Sequence, residues 1–312
     1  MGHTHRIRFG VKLRDAASPA AWAEQARRAE ALGYDAVLLP DHIEYGLAAL
    51  PAALAAAQAT TRLRVGTSVL CNDFRHPAVL AKEAATIDWL SGGRFELGIG
   101  AGWMQEDHRK TGIPRDPAAV RIERLEEALI VLRGLFGGEP FSFDGTHYRT
   151  HELVGIPRPV QSGGPPLVVG GGGRRLLGVA GRHADIVSVN PRAGSGVHDA
   201  ETDRDATAAA ADRKLEWLRE AAGERFGGIE LARELYAVKL TDDRGAAERV
   251  LTQHFQLPEA EARRSPHGLS GSLDALCDTL EGRRERWGTS YWIVPPAAMD
   301  EMAALVERMT GA

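Results

Sequence analysis

The chain has 312 residues, 44% of them apolar and 26% charged, with a net charge of −4. That length buries a large core without staples, and the acidic balance leaves no footprint for a nucleic-acid partner. Its two cysteines, Cys71 and Cys277, are far apart and form no metal spacing, while no apolar run approaches the ~18 residues of a membrane span.

The elements alternate from one end to the other. Met1 to Arg6 lacks an apolar signal core, so a cytoplasmic protein is expected, and His3 and His5 read as a terminal tail, not as metal ligands. Ile7 to Leu13 reads as a strand, and Ser18-Pro19 opens a helix striped by Trp22, Ala26, Ala29 and Leu32. Tyr34 to Leu39 is a second strand, Leu47 to Thr60 a helix, and Leu63 to Leu70 a third strand. Asp73 to Pro77 reads as a capped helix start with a structural His76, stopped at Gly92-Gly93. Phe95 to Ile99 is the fourth strand, and Ile122, Leu125, Leu129, Leu132 and Phe136 mark a long amphipathic helix. Phe141 to Tyr148 reads as a hairpin around Asp144-Gly145. Leu167 to Val169, Asp185 to Val189, Leu235 to Leu240 and Tyr291 to Val294 complete eight strands. Residues 193–207 are polar and read as a loop insertion or mobile lid. The last helix carries Met302, Leu305 and Met309.

Strands each followed by a helix imply a parallel sheet, and eight repeats without a break in composition favour a closed (β/α)8 TIM barrel forming one domain over 1–312. In such barrels, sites form at the C-terminal strand ends. Those ends hold Asp41-His42, Ser68-Val69, Cys71, Gly100-Ala101-Gly102-Trp103, Gly170 to Gly173, and Asn190. The glycine turns match neither the dinucleotide fingerprint nor the P-loop. Gly170 to Gly173 opens a helix whose free N–H groups favour a phosphate, unless the run is only a tight turn. Arg174 and Arg175 follow it, either as partners of an acidic ligand or as solvated helix residues. His42 is a candidate acid or base, or a packed loop histidine. Cys71 lines the same strand end, as a reactive thiol or as small buried filler. Trp103 walls a pocket or joins the core.

Gly66 to Leu70, Phe74-Arg75-His76-Pro77, Leu90 to Phe95, and Leu97 to Trp103 resemble luciferase-like monooxygenases, and most closely the branch that depends on the deazaflavin coenzyme F420. The likeness extends from Phe9 to Trp292, through Arg121 to Leu129, Pro157 to Gln161 and Gly268 to Ser272. It implies a bacterial-luciferase-like barrel with a non-prolyl cis peptide at Ser68-Val69. It implies Asp41, Gly100, Ala101 and Gly102 against the deazaflavin ring, His42 near the site of hydride transfer, and Gly171 to Gly173 on the phosphate. Sugar-phosphate dehydrogenases of this branch carry a glutamate where this chain has Trp103, and no lysine cluster for a substrate phosphate is evident. A more apolar pocket follows, with Trp103 and Asn190 facing a small-molecule substrate.

The leading reading is an F420-dependent oxidoreductase moving a hydride to or from an organic molecule. An FMNH2-dependent monooxygenase using O2 is the alternative, with FMN in place of F420. A catalytically silent flavin-binding barrel is the third reading, and a lid at 193–207 argues against it. A homodimer is expected from the family resemblance, with no metal and no membrane partner.

Overall fold

A computed structural model describes residues 5–311; His3 lies outside them. Eight parallel strands close into a barrel: β1 (Arg8–Lys12), β2 (Ala36–Leu39), β3 (Arg64–Thr67), β4 (Phe95–Gly100), β5 (Leu167–Gly171), β6 (Ile186–Val189), β7 (Glu230–Glu234) and β8 (Thr289–Val294). Each pairs with its neighbour in chain order, and β8 returns to β1 with Phe9 opposite Trp292. The helices of the outer ring are α1 (Pro19–Ala31), α2 (Ala49–Ala59), α3 (Pro77–Leu90), α4 (Gln105–Thr111), α5 (Ala118–Phe136), α6 (Arg174–His183), α7 (Ala200–Arg204), α8 (Ala208–Ala222), α9 (Arg244–His254), α10 (Glu259–Ala262), α11 (Leu273–Trp287) and α12 (Ala303–Thr310).

The strands are buried on both faces, which is why they read as continuous apolar runs. Ala36, Leu38, Val168, Ile186, Ala232, Tyr291 and Ile293 form the inner cluster. Phe9, Val11, Leu97 and Trp292 belong to the larger cluster shared with the helices. The helix starts follow the sequence: the Ser18 hydroxyl accepts from the Ala21 amide, and His76 Nδ1 accepts from the Ala78 amide. The hairpin forms from Phe141–Asp144 and Arg149–Leu153. Among the described residues no helix is long and apolar enough to cross a membrane.

Two expectations are corrected. The seventh barrel strand is β7, not Leu235 to Leu240; Ala237–Leu240 instead pairs with Gly268–Gly271 in a separate two-stranded ladder. The sequence of β7, Glu-Leu-Ala-Arg-Glu, hides a barrel strand because its charges are buried against partners elsewhere. Arg8 donates to Glu230 at 2.9 and 2.7 Å and to Glu96 at 2.7 Å, its guanidinium carbon 3.6 Å above the Tyr291 ring. Burial alone would raise the Glu96 carboxyl, but Arg8 and Arg64 outweigh it and hold the group below its usual range. The second correction is the polar stretch 193–207, which holds α7 and the N-cap of α8. Asp199 and Thr202 form a capping box there, and the buried Asp203 accepts from the Gln256 amide at 3.0 Å.

Candidate active site

The candidate residues of five strand ends meet at one mouth. After β2, His42 Nδ1 lies 2.8 Å from Asp107 Oδ2 on α4, whose other oxygen accepts from the Ile43 amide at 3.2 Å. An ionised carboxylate only accepts, so facing one Nδ1 is the donor, and in the neutral ring that leaves Nε2 as the acceptor. The imidazole is 4.6 Å from the Tyr45 ring and 5.8 Å, edge-on, from Trp103. Burial and the Asp107 carboxylate hold the Tyr45 hydroxyl above its ordinary value, so it stays neutral. Asp41 is pinned differently: Arg75 donates to both its oxygens, at 2.6 and 3.0 Å, and the Cys71 amide donates at 3.0 Å.

After β3 the Ser68–Val69 peptide is cis. The Val69 methyls reach across to the next two strands. A Cβ on Gly100 would stand 2.9 Å from one of them, and a Cβ on Gly170 would stand 3.3 Å from the other. Ala101 is buried and its carbonyl accepts from Arg121 at 2.6 Å. Gly102 has φ +74°, and a Cβ there would lie 2.5 Å from the Cys71 sulfur. The Cys71 thiol therefore points beneath Gly102, and burial pushes it up to about 12. It is not a thiolate nucleophile.

β5 ends in Gly170 and Gly171, and Gly173 is the N-cap of α6 with no side chain capping it. A Cβ on Gly172 would overlap the Asn190 carbonyl oxygen, so backbone and backbone meet here as only glycine permits. Asn190 donates to Ser188 at 3.1 Å, while its Oδ1 is buried without a partner among the described residues. Arg174 and Arg175 are exposed, lying 3.2 Å from Glu220 and 3.8 Å from Glu123.

Asp107, Arg75 and Tyr45 were not identified from sequence. For Asp107 a signal existed: α4 has Glu106 and Asp107 in its first turn, His108 to Lys110 in its last, and Gly112 at its left-handed end. The polar segment after β6 leans on the same mouth, the Gly196 carbonyl accepting from the Gln105 amide at 3.1 Å. The rim carries the apolar side chains of Ile43, Tyr45, Leu47 and Trp103, all exposed. Lys12, Lys110, Lys214 and Lys239 are each committed to a carboxylate.

The model of a family described as luciferase-like monooxygenase matches residues 1–307. An F420-dependent glucose-6-phosphate dehydrogenase of Intrasporangium calvum is 28% identical over 304 residues, 93% of this chain and 86% of that protein. An FMNH2-dependent dimethylsulfone monooxygenase of Pseudomonas putida is 33% identical over 152 residues, 49% of this chain and 42% of that protein. The coenzyme F420-dependent tetrahydromethanopterin reductase of Methanopyrus kandleri superposes with a TM-score of 0.79 over 98% of each chain, at 19% identity, a likeness of fold.

Proposed function

Because the chain belongs to the luciferase-like monooxygenase family, we propose that it is an F420-dependent oxidoreductase moving a hydride between the deazaflavin and an organic alcohol or carbonyl compound. The observation that carries this reading is the His42–Asp107 pair at the barrel mouth. When bound, the deazaflavin supplies a ring carbon that accepts or gives the hydride. His42 Nε2 takes the proton from the substrate hydroxyl as the hydride leaves, and Asp107 stabilises the resulting imidazolium. In the reverse direction His42 returns that proton.

The mouth suits such a cofactor. The uncapped start of α6 with Gly171, Gly172 and Gly173 holds a phosphate by free amides and dipole. Ser68, Val69, Gly100, Ala101 and Gly102 form a wall for a flat ring, braced from behind by Asp41 with Arg75 and Cys71. The unpartnered Oδ1 of Asn190 offers an acceptor beside Gly170. The substrate is apolar where it meets Ile43, Leu47 and Trp103, and Lys110 and Lys214 are already paired with carboxylates.

The molecule is one barrel domain, and it works as a cytoplasmic homodimer. Val79, Trp89 and Leu90 on α3, with Val160 beside them, expose an apolar face that a two-fold partner would cover. The FMNH2-dependent relative supports a second reading, oxidation with O2 in the same mouth. Fluorescence titration of both cofactors, at low and physiological salt, separates them. Tighter binding of F420, and its reduction by an alcohol without O2, is expected. Tighter FMN binding with oxidation that needs O2 hands the site to the monooxygenase reading.

A further inference from the structure

The side chains of a second cluster at the mouth take no part in the hydride-transfer scheme. Cys71 ends the short strand Leu70–Cys71, Asp73 lies in the turn Asn72–Phe74, and His108 stands on α4. A thiol sulfur, a carboxylate oxygen and a ring nitrogen from these three all lie within 4.8 Å of one another. His108 is 3% exposed, and neither of its ring nitrogens has a hydrogen-bond partner among the described residues. Asp73 Oδ2 is equally without one, while Oδ1 is fixed by Arg124 at 2.7 Å. Buried polar groups of native proteins are nearly always bonded, so three orphaned atoms in one place need an occupant.

We propose that Cys71, Asp73 and His108 form a binding site for a divalent cation of the zinc class. One sulfur, one oxygen and one nitrogen are the donor types that such a borderline-soft ion takes, at about 2.3 Å from sulfur and about 2.0–2.2 Å from nitrogen and oxygen. Tetrahedral ligands then sit roughly 3.5 Å apart, so modest side-chain shifts close the present spacing. Water completes the coordination, because three side chains are all the cluster supplies. Binding breaks the Cys71 S–H bond: the thiolate stays on the metal and one proton goes to solvent.

The charged neighbours set the strength of the site. Arg124 is shared between Asp73 and Asp116, Arg121 points into the Ala101 and Gly102 carbonyls, and Arg75 is paired with Asp41. Arg121, which no carboxylate matches among the described residues, and Arg115 beside it oppose a second positive charge and make the site weaker than a structural zinc centre. His108 and Asp107 are successive residues of α4. A cation tying this helix to the turn after β3 therefore steadies the element from which Asp107 reaches His42.

The test uses the full chain, treated with a chelator and then titrated with Co2+ as the spectroscopic probe. One equivalent should bind with the near-ultraviolet sulfur-to-cobalt charge-transfer band, which added Zn2+ abolishes. Zinc should remain at one per chain after gel filtration, and affinity should rise about tenfold per pH unit, from the single proton released. Cys71→Ser should lose the band and Cys277→Ser should keep it; His108→Gln should lower the stoichiometry. Zn2+ should also raise the melting temperature of the unsubstituted protein, a readout that does not depend on any variant folding. Cobalt binding without a thiolate band, a band that survives Cys71→Ser, or no melting shift with excess Zn2+ would overturn the site. None of these readouts involves F420, so the proposal fails or stands apart from the hydride-transfer reading.

Discussion

Replacing Asp107 with asparagine tests whether the His42 pair is chemical or merely packed. Asp107 is 5% exposed, and among the described residues its carboxylate hydrogen-bonds with His42 Nδ1 and the Ile43 amide. A hydrogen bond to a charged group contributes about 1.5–3 kcal/mol, and one decade of rate corresponds to about 1.4 kcal/mol, so losing the bond to the imidazolium costs roughly 10- to 150-fold. The amide has a second effect. Its NH2 can donate to Nδ1, which moves the ring proton to Nε2 and removes the base. That loss extends to the whole contribution of proton transfer, about 10²–10⁴-fold. The fall should appear in kcat, with KM and F420 affinity nearly unchanged, since Asp107 lies behind His42. Steady-state absorbance of F420 with an accepted alcohol measures it, with His42→Ala as the floor. Asp107→Asn at full rate beside a dead His42→Ala would refute the reasoning, because His42 would then act without its partner.

Three more outcomes follow from the geometry. Gly172→Ala should weaken F420 binding at least tenfold and lower the melting temperature, because its Cβ would overlap the Asn190 carbonyl; unchanged values in titration and calorimetry would remove the close approach from the site. Lys214, paired with Asp205 at 2.6 Å, is pulled by burial from 10.5 to about 8. Between those values the unfolded chain binds a proton that the folded chain lacks, so this residue's contribution to stability should rise with pH, by at most about 1.4 kcal/mol per unit. Urea melts of the wild type against Lys214→Met from pH 8 to 10 check the sign, and a flat difference contradicts it. Trp89→Glu should turn a dimer into a monomer in light scattering, and a mass that does not change would clear α3 of the interface.

What was legible in the sequence was whatever repeats or punctuates. Strands buried on both faces announce themselves as apolar runs, and caps such as Ser18 and His76 mark the helix starts. The glycines after β4 and β5 were visible as strand-end turns, although Val69 gives Gly100 and Gly170 a packing reason that no turn template contains. β7 escaped because Glu230 and Arg233 look like surface residues until Arg8 and His267 are seen beside them. Asp107 escaped for a related reason. It lies 65 residues from His42, and nothing local in either segment reveals a partner at that distance. Pairings made only by the closed barrel are invisible to periodicity.

The ion cluster on the barrel axis has a consequence for how the chain reaches this state. Arg8 finds Glu96 and Arg64 within the first third of the sequence, but Glu230 stands 222 residues away. Until β7 arrives, the first strands hold two guanidinium groups, Arg8 and Arg64, on the single carboxylate of Glu96, in a space that will become buried. A nascent or truncated chain ending before β7 therefore cannot dry its interior at acceptable cost, whatever apolar surface it has already gathered. Closure is thus all-or-none at the level of charge. Fragments cut after β6 should stay hydrated and open, and should become compact when the missing strands are supplied as a separate piece, so that the split halves report on one another through a single arginine.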